Sequence, residues 1–379
     1  MKRIAIFGGS FDPVHTEHVR LAEAAIDSLA LDKLFVVPAY APPHKKGRAL
    51  APDEDRLQAC RLAFSHLEKV TVSDYEIAQT GTSYTYLTCR HFRTLYPNAE
   101  IFWLVGTDML RDFPTWKNPQ DILQNVTLGV CARNEDKGWE EEEQRRFLDK
   151  FGVRFALIAY NGAPVSSTEI RVLAGACMPL DGLVPKSVET FIFEKRTYEI
   201  AGARLALSLE KPERAAHSIR VAKLAVEKAK RMGISERQVL TATLLHDCAK
   251  NLSDDSPYLQ GFSLKAEWGD VPPPVLHQYQ GAYVAEKFLG VTQEDELNAI
   301  RFHTSARPNM SALEKLVFLA DMLEEKRQYE GVDELRTLFW EDGLDKCLTE
   351  ALRQTLLFLE SKGGAVYPLT RAAYEFYKK

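Results

Sequence analysis

Residues 8–18 read GGSFDPVHTEH, and they follow the largely apolar opening run KRIAIF at residues 2–7. An apolar run that stops at two glycines is a strand ending in a turn, because glycine tolerates backbone angles that other residues resist. Pro13 presets φ for a first helical turn and Asp12 before it is a good N-cap, so the spacing predicts a helix over VHTEHVRLAEAA, residues 14–25. On that helix His15 and His18 would share one face of the first turn. A helix start offers unpaired N–H groups and a positive dipole end, and a glycine turn lets an anion approach the backbone. Gly8, Gly9, Ser10 and Phe11 with the two histidines therefore read as a phosphate site.

Outward from this stretch, the first half alternates strand-like and helix-like segments. RIAIF, KLFVVP, KVTVS, AEIFWLVG, VTLGVCA and RFALIAY are the strand candidates, separated by amphipathic stretches. That grammar predicts a parallel, doubly wound sheet, whose ligands sit at the carboxyl ends of the strands where the strand order reverses. From about Tyr198 onward continuous helical periodicity takes over, as in RAAHSIRVAKLAVEKAKRM and SALEKLVFLADMLEEKR, and the second half reads as all-α. The expected division is residues 1–197 and 198–379, with the boundary near VPKSVETFIFEKRTY.

Composition narrows the classes further. A chain of 379 residues has room for two or three cores. Its 45% hydrophobic and 27% charged content is that of an ordinary globular protein, and neither a membrane-spanning apolar stretch nor a signal peptide is visible, so no membrane partner and a cytoplasmic location are expected. Cys60, Cys89, Cys131, Cys177, Cys248 and Cys347 form no C-x-x-C pair, which argues for reduced thiols rather than disulfides or a thiolate zinc site. Net charge is −5, with a slight acidic excess in each half, which disfavours a nucleic-acid polymer while leaving small phosphorylated ligands open. The run WEEEEQRRF reads as a solvated helical face.

The first half resembles the nucleotidyltransferases with a H-x-G-H signature, and among them bacterial nicotinate-nucleotide adenylyltransferase. The residues that carry this are GGSFDPVHTEH, PPHK at 42–45, SYTYLT at 83–88, VGTDML at 105–110, Trp116 and VSSTEIR at 165–171. The resemblance implies transfer of the adenylyl group of ATP, with Mg²⁺, to nicotinate mononucleotide. Phosphate is already largely ionised at neutral pH, its second pKa being about 6, so positioning and charge stabilisation replace a general base. It further implies that His15 and His18 act on the triphosphate, that Gly8, Gly9, Ser10 and Phe11 line it, and that Lys45 adds a point charge. Ser167, Thr168 and Arg171 would hold the outer phosphates, Asp108 the nucleoside, and Thr85 and Trp116 the pyridine ring. One residue departs from the pattern. Glu17 stands where the signature has glycine, placing a carboxylate either toward the triphosphate or outward, where it would favour the helix start.

In the helical half, His217, His246, His277 and His303 each sit in an apolar context, as do Asp247 in LLHDCAK and Asp321 in VFLADML. A buried carboxylate without a cation or hydrogen-bonding partners is costly, and a metal would satisfy it. This half, over about residues 200–379, resembles the HD-domain phosphohydrolases, and HDCAK, HTSARPNMS and FLADMLEEKR are especially similar to the symmetrical diadenosine tetraphosphatases. Imidazole and carboxylate ligands without thiolate suit iron, or manganese, better than structural zinc. On this reading His217, His246, Asp247, His277, His303 and Asp321 hold two transition-metal ions, with Asp247 bridging and catalytic. Lys250, Arg307 and Arg327 would neutralise the polyphosphate. The expected fold is thus an α/β Rossmann-like nucleotidyltransferase domain followed by an all-α HD domain, with ATP, nicotinate mononucleotide and diadenosine tetraphosphate as ligands. The residues leave open a homo-oligomer, another phosphate ester or a guanosine alarmone for the second half, and a binding or regulatory role for either half.

Overall fold

A computed structural model describes residues 1–379 except 42–48, 80, 132–139, 342 and 365. Two compact units divide the chain: Met1–Ile170 with Leu180–Thr197, and Arg171–Pro179 with Tyr198–Lys379. The segment Arg171–Pro179 belongs to the second unit, so the units do not follow from a single cut after Thr197.

The first unit is built on six parallel strands: β1 (Arg3–Gly9), β2 (Lys33–Pro38), β3 (Val70–Val72), β4 (Glu100–Gly106), β5 (Thr127–Cys131) and β6 (Ala156–Ile158). Each strand candidate named above forms one of them. Their order is β3-β2-β1-β4-β5-β6, and every pairing is parallel. β1, β2 and β4 are continuous buried apolar runs because helices cover both faces of such a sheet. The order reverses between β1 and β4, so the crevice at their carboxyl ends opens beside Gly8, Gly9 and Gly106. Gly8 is required there by packing: a Cβ on it would lie 2.6 Å from the Trp103 ring of β4.

Helix α1 spans Thr16–Ser28 and begins later than the proline rule predicts. Phe11 adopts a left-handed backbone with φ of 44°, and His15 is extended, with φ of −141° and ψ of 172°. Pro13 therefore lies in the loop, the Asp12 carboxylate accepts the Ala51 N–H at 3.2 Å, and His15 itself occupies the N-cap. Two further helices matter for this unit's site, α2 (Thr85–Leu95) and α3 (Ser167–Gly175).

The second unit is helical throughout, with α4 (Pro212–Met232), α5 (Glu236–Leu245), α6 (Pro273–Phe288), α7 (Glu294–Arg301) and α8 (Ala312–Leu323) surrounding its core. The boundaries follow local chemistry. Pro212 opens α4 and Gly233, with φ of 69°, closes it, while Ser311 and Glu314 cap α8 reciprocally. Val221, Ala225, Leu244, Leu245, Leu316 and Leu319 are fully buried where these helices meet. Among the described residues no helix is long and apolar enough to cross a membrane. All six cysteines are unpaired thiols.

Candidate functional sites

At the end of β1 the loop is held by Arg56, which is buried and whose Nη1 donates to the Ser10 carbonyl at 2.7 Å. The His15 and His18 rings stack with centroids 3.5 Å apart and planes 24° from parallel. His18 Nδ1 accepts the His15 backbone N–H at 3.1 Å, so the proton of the neutral ring resides on Nε2, which is thereby a donor. Phe11 and Phe7 flank the His18 ring at 5.0 and 5.8 Å and limit its rotation. Ser167 Oγ donates to the Pro13 carbonyl at 3.0 Å, which brings the start of α3 against this loop, and Thr168 beside it is buried.

The remaining residues implied by the resemblance are placed variously. Asp108 is exposed just beyond β4, its Oδ1 so close over Gly106 that a Cβ there would meet it at 2.6 Å. Thr85 opens α2, and Trp116 packs on Phe113 at 5.3 Å. Lys117 lies 4.2 Å above the Tyr84 ring, which sets the Trp116 segment beside Thr85. Lys45 lies outside the described residues. Arg171 is buried and engages Glu236 of α5 through both Nε and Nη2, the latter at 2.9 Å, so a salt bridge inside the second unit occupies the guanidinium that the resemblance gives to phosphate.

Glu17 neither projects into solvent nor lacks partners. It is buried, accepting the Tyr160 hydroxyl proton, the Ala163 N–H at 2.7 Å and Arg20 Nη1 at 2.8 Å. Burial opposes its charge, but the bonds from Tyr160, Ala163 and Arg20 outweigh burial and hold its carboxyl below the usual range. Its carboxylate thus ties α1 to the segment that follows β6.

In the second unit His217 lies on α4, His246 and Asp247 just past α5, His277 on α6, His303 just past α7 and Asp321 on α8. The fold brings all six together. His217 Nε2 is 2.8 Å from Asp321 Oδ1, and His277 Nε2 is 3.1 Å from His303 Nε2. Asp247 is central: Oδ1 lies 3.3 Å from His277 Nε2 and 3.4 Å from His303 Nε2, and Oδ2 lies 3.5 Å from His246 Nε2. Three overlapping groups of three ligand atoms each fall within 4.8 Å: His217, His246 and Asp247; His246, His303 and Asp321; Asp247, His277 and His303.

Whether a cation fits is answered by the orphaned atoms. His246 Nε2 and Asp247 Oδ1 are buried without a directed hydrogen bond, a costly arrangement that a divalent ion relieves. The ring tautomers agree, since His246 Nδ1 donates to the Thr243 carbonyl and His303 Nδ1 to the Ile300 carbonyl, each at 2.7 Å, leaving Nε2 lone pairs for a metal. Burial pushes the His246 and His277 imidazoles down to about 4, so both are neutral in ordinary buffers. Burial works against the charge of Asp321, but His217, His246 and Arg327 overcome it and keep the carboxylate ionised.

The two aspartates are not uncompensated, as the sequence suggests they would be without a metal. Arg214 Nη1 lies 3.0 Å from Asp247 Oδ2, and Arg327 Nη2 lies 2.5 Å from Asp321 Oδ1. Arg214 escapes a motif reading, although its position three residues before His217 on one helix was a legible signal. Lys250 Nζ reaches His277, 2.9 Å from Nε2. Arg307 is engaged elsewhere: both Nε and Nη2 bond Glu314 Oε1, at 3.0 and 2.6 Å, and its guanidinium covers the Phe302 ring.

Fold and sites define a nucleotidyltransferase-like α/β unit joined to an HD-type helical unit whose buried His/Asp cluster could hold a divalent metal. Residues 6–173 match the cytidylyltransferase-like family model and residues 214–326 the HD domain model. A protein of Mycoplasma pneumoniae named "probable nicotinate-nucleotide adenylyltransferase/Ap4A hydrolase" is 32% identical over 342 residues, 90% of this chain and 91% of its own length. Its namesake in Mycoplasma genitalium is 29% identical over 87% of this chain and 89% of its own length. A "probable nicotinate-nucleotide adenylyltransferase" of Thermotoga sp. is 41% identical over 186 residues, covering 49% of this chain and 92% of its own length. The chain belongs to the family of fused nicotinate-nucleotide adenylyltransferase/Ap4A hydrolases.

Proposed function

We propose that the first unit joins ATP and nicotinate mononucleotide into nicotinate adenine dinucleotide, and that the second splits diadenosine tetraphosphate symmetrically into two ADP. The observation that carries this reading is the convergence of four imidazole Nε2 atoms and two carboxylates in the second unit of a chain whose first unit stacks two histidines at a parallel-sheet switch point.

In adenylyl transfer a phosphate oxygen of nicotinate mononucleotide forms a bond to the α-phosphorus of ATP, the bond to the β-phosphate oxygen breaks, and pyrophosphate leaves with the electron pair. The His18 Nε2–H, His15, the N–H groups at the start of α3 and the Ser167 and Thr168 hydroxyls would stabilise the charge that builds on these oxygens. Gly8 and Gly9 would let the triphosphate lie against backbone, and Lys45 would add a point charge. Asp108 would bind the nucleoside, and Thr85 and Trp116 the pyridine ring. Mg²⁺ would arrive with ATP.

For the second unit, His217, His246, Asp247, His277, His303 and Asp321 would hold two ions, with iron favoured by the thiolate-free donor set and manganese next. Such ions acidify water and polarise phosphoryl oxygens. The chain's own cations complete the site: Arg214, Lys250 and Arg327 surround the cluster and would neutralise a polyphosphate. Water adds to one central phosphorus, the central phosphoanhydride breaks, and each half departs as ADP.

The test is product identification with the full chain. ATP and nicotinate mononucleotide are expected to yield the dinucleotide and pyrophosphate, and diadenosine tetraphosphate only ADP. Formation of ATP and AMP, or no cleavage by metal-loaded protein, would reject the hydrolytic half of the reading.

A further inference from the structure

Among the four histidines of the cluster, His217 has a carboxylate at Nδ1, whereas His277 Nδ1 lies 3.2 Å from Lys250 Nζ. His246 and His303 each donate Nδ1–H to a neutral backbone carbonyl. His217 Nδ1 instead faces a carboxylate, Glu324 Oε1, at 3.1 Å. Glu324 is 2% exposed and closely fixed: Arg220 Nε donates to Oε2 at 2.6 Å, Arg220 Nη2 to Oε1 at 3.2 Å, and the Lys326 N–H to Oε2 at 2.9 Å. It follows the last residue of α8, where the backbone turns extended with φ of −52° and ψ of 155°. That turn carries its side chain to the outer edge of the His217 ring, while Asp321, three residues earlier, meets the inner edge at Nε2. The imidazole is thus held between two carboxylates, one on each nitrogen.

We infer that Glu324, clamped by Arg220, is a positioning residue for the metal centre: it keeps the proton of His217 on Nδ1, orients the ring, and makes Nε2 a stronger ligand than its carbonyl-bonded neighbours. A carboxylate withdraws positive charge from an imidazole through its N–H more effectively than an amide carbonyl does, and strengthens the opposite nitrogen as an electron donor. A bound cation would replace the 2.8 Å contact between His217 Nε2 and Asp321 Oδ1, so that the Nε2 lone pair and the inward carboxylate would both serve as its ligands. The two rings with carbonyl partners would bind more weakly, so the two ions are expected to differ in affinity. This inference rests on the proposed metal-dependent role of the second unit, but not on the identity of its substrate.

The experiment measures metal affinity directly. Full-length wild type, Glu324→Gln and Glu324→Ala are stripped of metal and titrated with Mn²⁺ against a chromophoric chelator. Adenylyl transfer and the apo-protein melting temperature serve as folding controls. Glutamine keeps the volume and an acceptor for Nδ1–H but removes the charge, so Glu324→Gln is expected to weaken one of two Mn²⁺ equivalents by about 10-fold and Glu324→Ala by up to about 100-fold. Arg220→Gln, which frees the carboxylate to move, is expected to fall near Glu324→Gln. Equal Mn²⁺ affinity in wild type and Glu324→Gln, with an unchanged apo melting temperature, would overturn the positioning role, as would a loss spread equally over both ions. A wild type that binds Mn²⁺ yet leaves diadenosine tetraphosphate intact would reject the substrate reading alone, because the affinity comparison still decides the role of Glu324.

Discussion

The backbone N–H of His15 donates to His18 Nδ1 at 3.1 Å while the two rings stack, so one residue both caps α1 and fixes the proton of its neighbour on Nε2. On the proposed role, a histidine so arranged would enter the reaction as a donor already in place, with no reorganisation required when charge develops on phosphate oxygen.

Replacing it is therefore expected to affect the chemical step. His18→Ala should lower the rate of dinucleotide synthesis by about 100- to 1,000-fold, the range seen when one preorganised donor is removed. Cleavage of diadenosine tetraphosphate should be unchanged. Near-normal synthesis by the variant in steady-state assays would show that the stacked pair does not serve the triphosphate.

Glu17 should behave as a structural carboxylate. Its buried bonds to Tyr160, Ala163 and Arg20 predict that Glu17→Gln destabilises the first unit by about 1–2 kcal/mol, while the ATP Michaelis constant stays within a few-fold of wild type. The sign of the pH dependence follows from its lowered folded-state value. The carboxylate's contribution is complete above the unfolded pKa of about 4.3 and is lost as pH falls below it, so the gap between wild type and variant should shrink in acid. Denaturation at neutral pH and at pH 3.5 checks this, and a gap that does not depend on pH would contradict it.

Asp247 meets three of the other five residues of the cluster, His246, His277 and His303, and engages them through both oxygens. Asp247→Ala should lose bound metal and tetraphosphate cleavage together while retaining adenylyl transfer. Elemental analysis with both assays decides the matter; a folded, metal-free variant that still cleaves the tetraphosphate fully would refute the assignment.

Metal should also be retained to lower pH than an ordinary histidine site allows. A solvent-exposed imidazole begins to protonate near 6.5, whereas burial holds His246 and His277 near 4. The unfolded chain binds more protons between these values, so stability from the neutral rings is present above about 6.5 and is lost as pH falls toward 4. Metal content after dialysis at pH 7, 5.5 and 4.5 is expected to fall mainly in the last step. Full release at pH 5.5 would mean that the rings are more solvated than the packed cluster allows.

Much was determined by the sequence alone. The six strands, the change of grammar near Tyr198 and the six histidines and aspartates of the cluster were legible because each depends on local periodicity or on residue types that are costly to bury without purpose. What the tertiary structure decided are the pairings between residues distant in the chain. Arg171 belongs to Glu236, Arg214 to Asp247 and Glu324 to His217, and Glu17 is tied to Tyr160 across more than a hundred residues. The start of α1 also moved, because Phe11 takes a left-handed conformation and His15 takes the cap that the local signal assigned to Asp12. A charged side chain announces only that it needs a partner; which partner it finds depends on the packing that desolvates both, and that exists only once the helices and strands have come together.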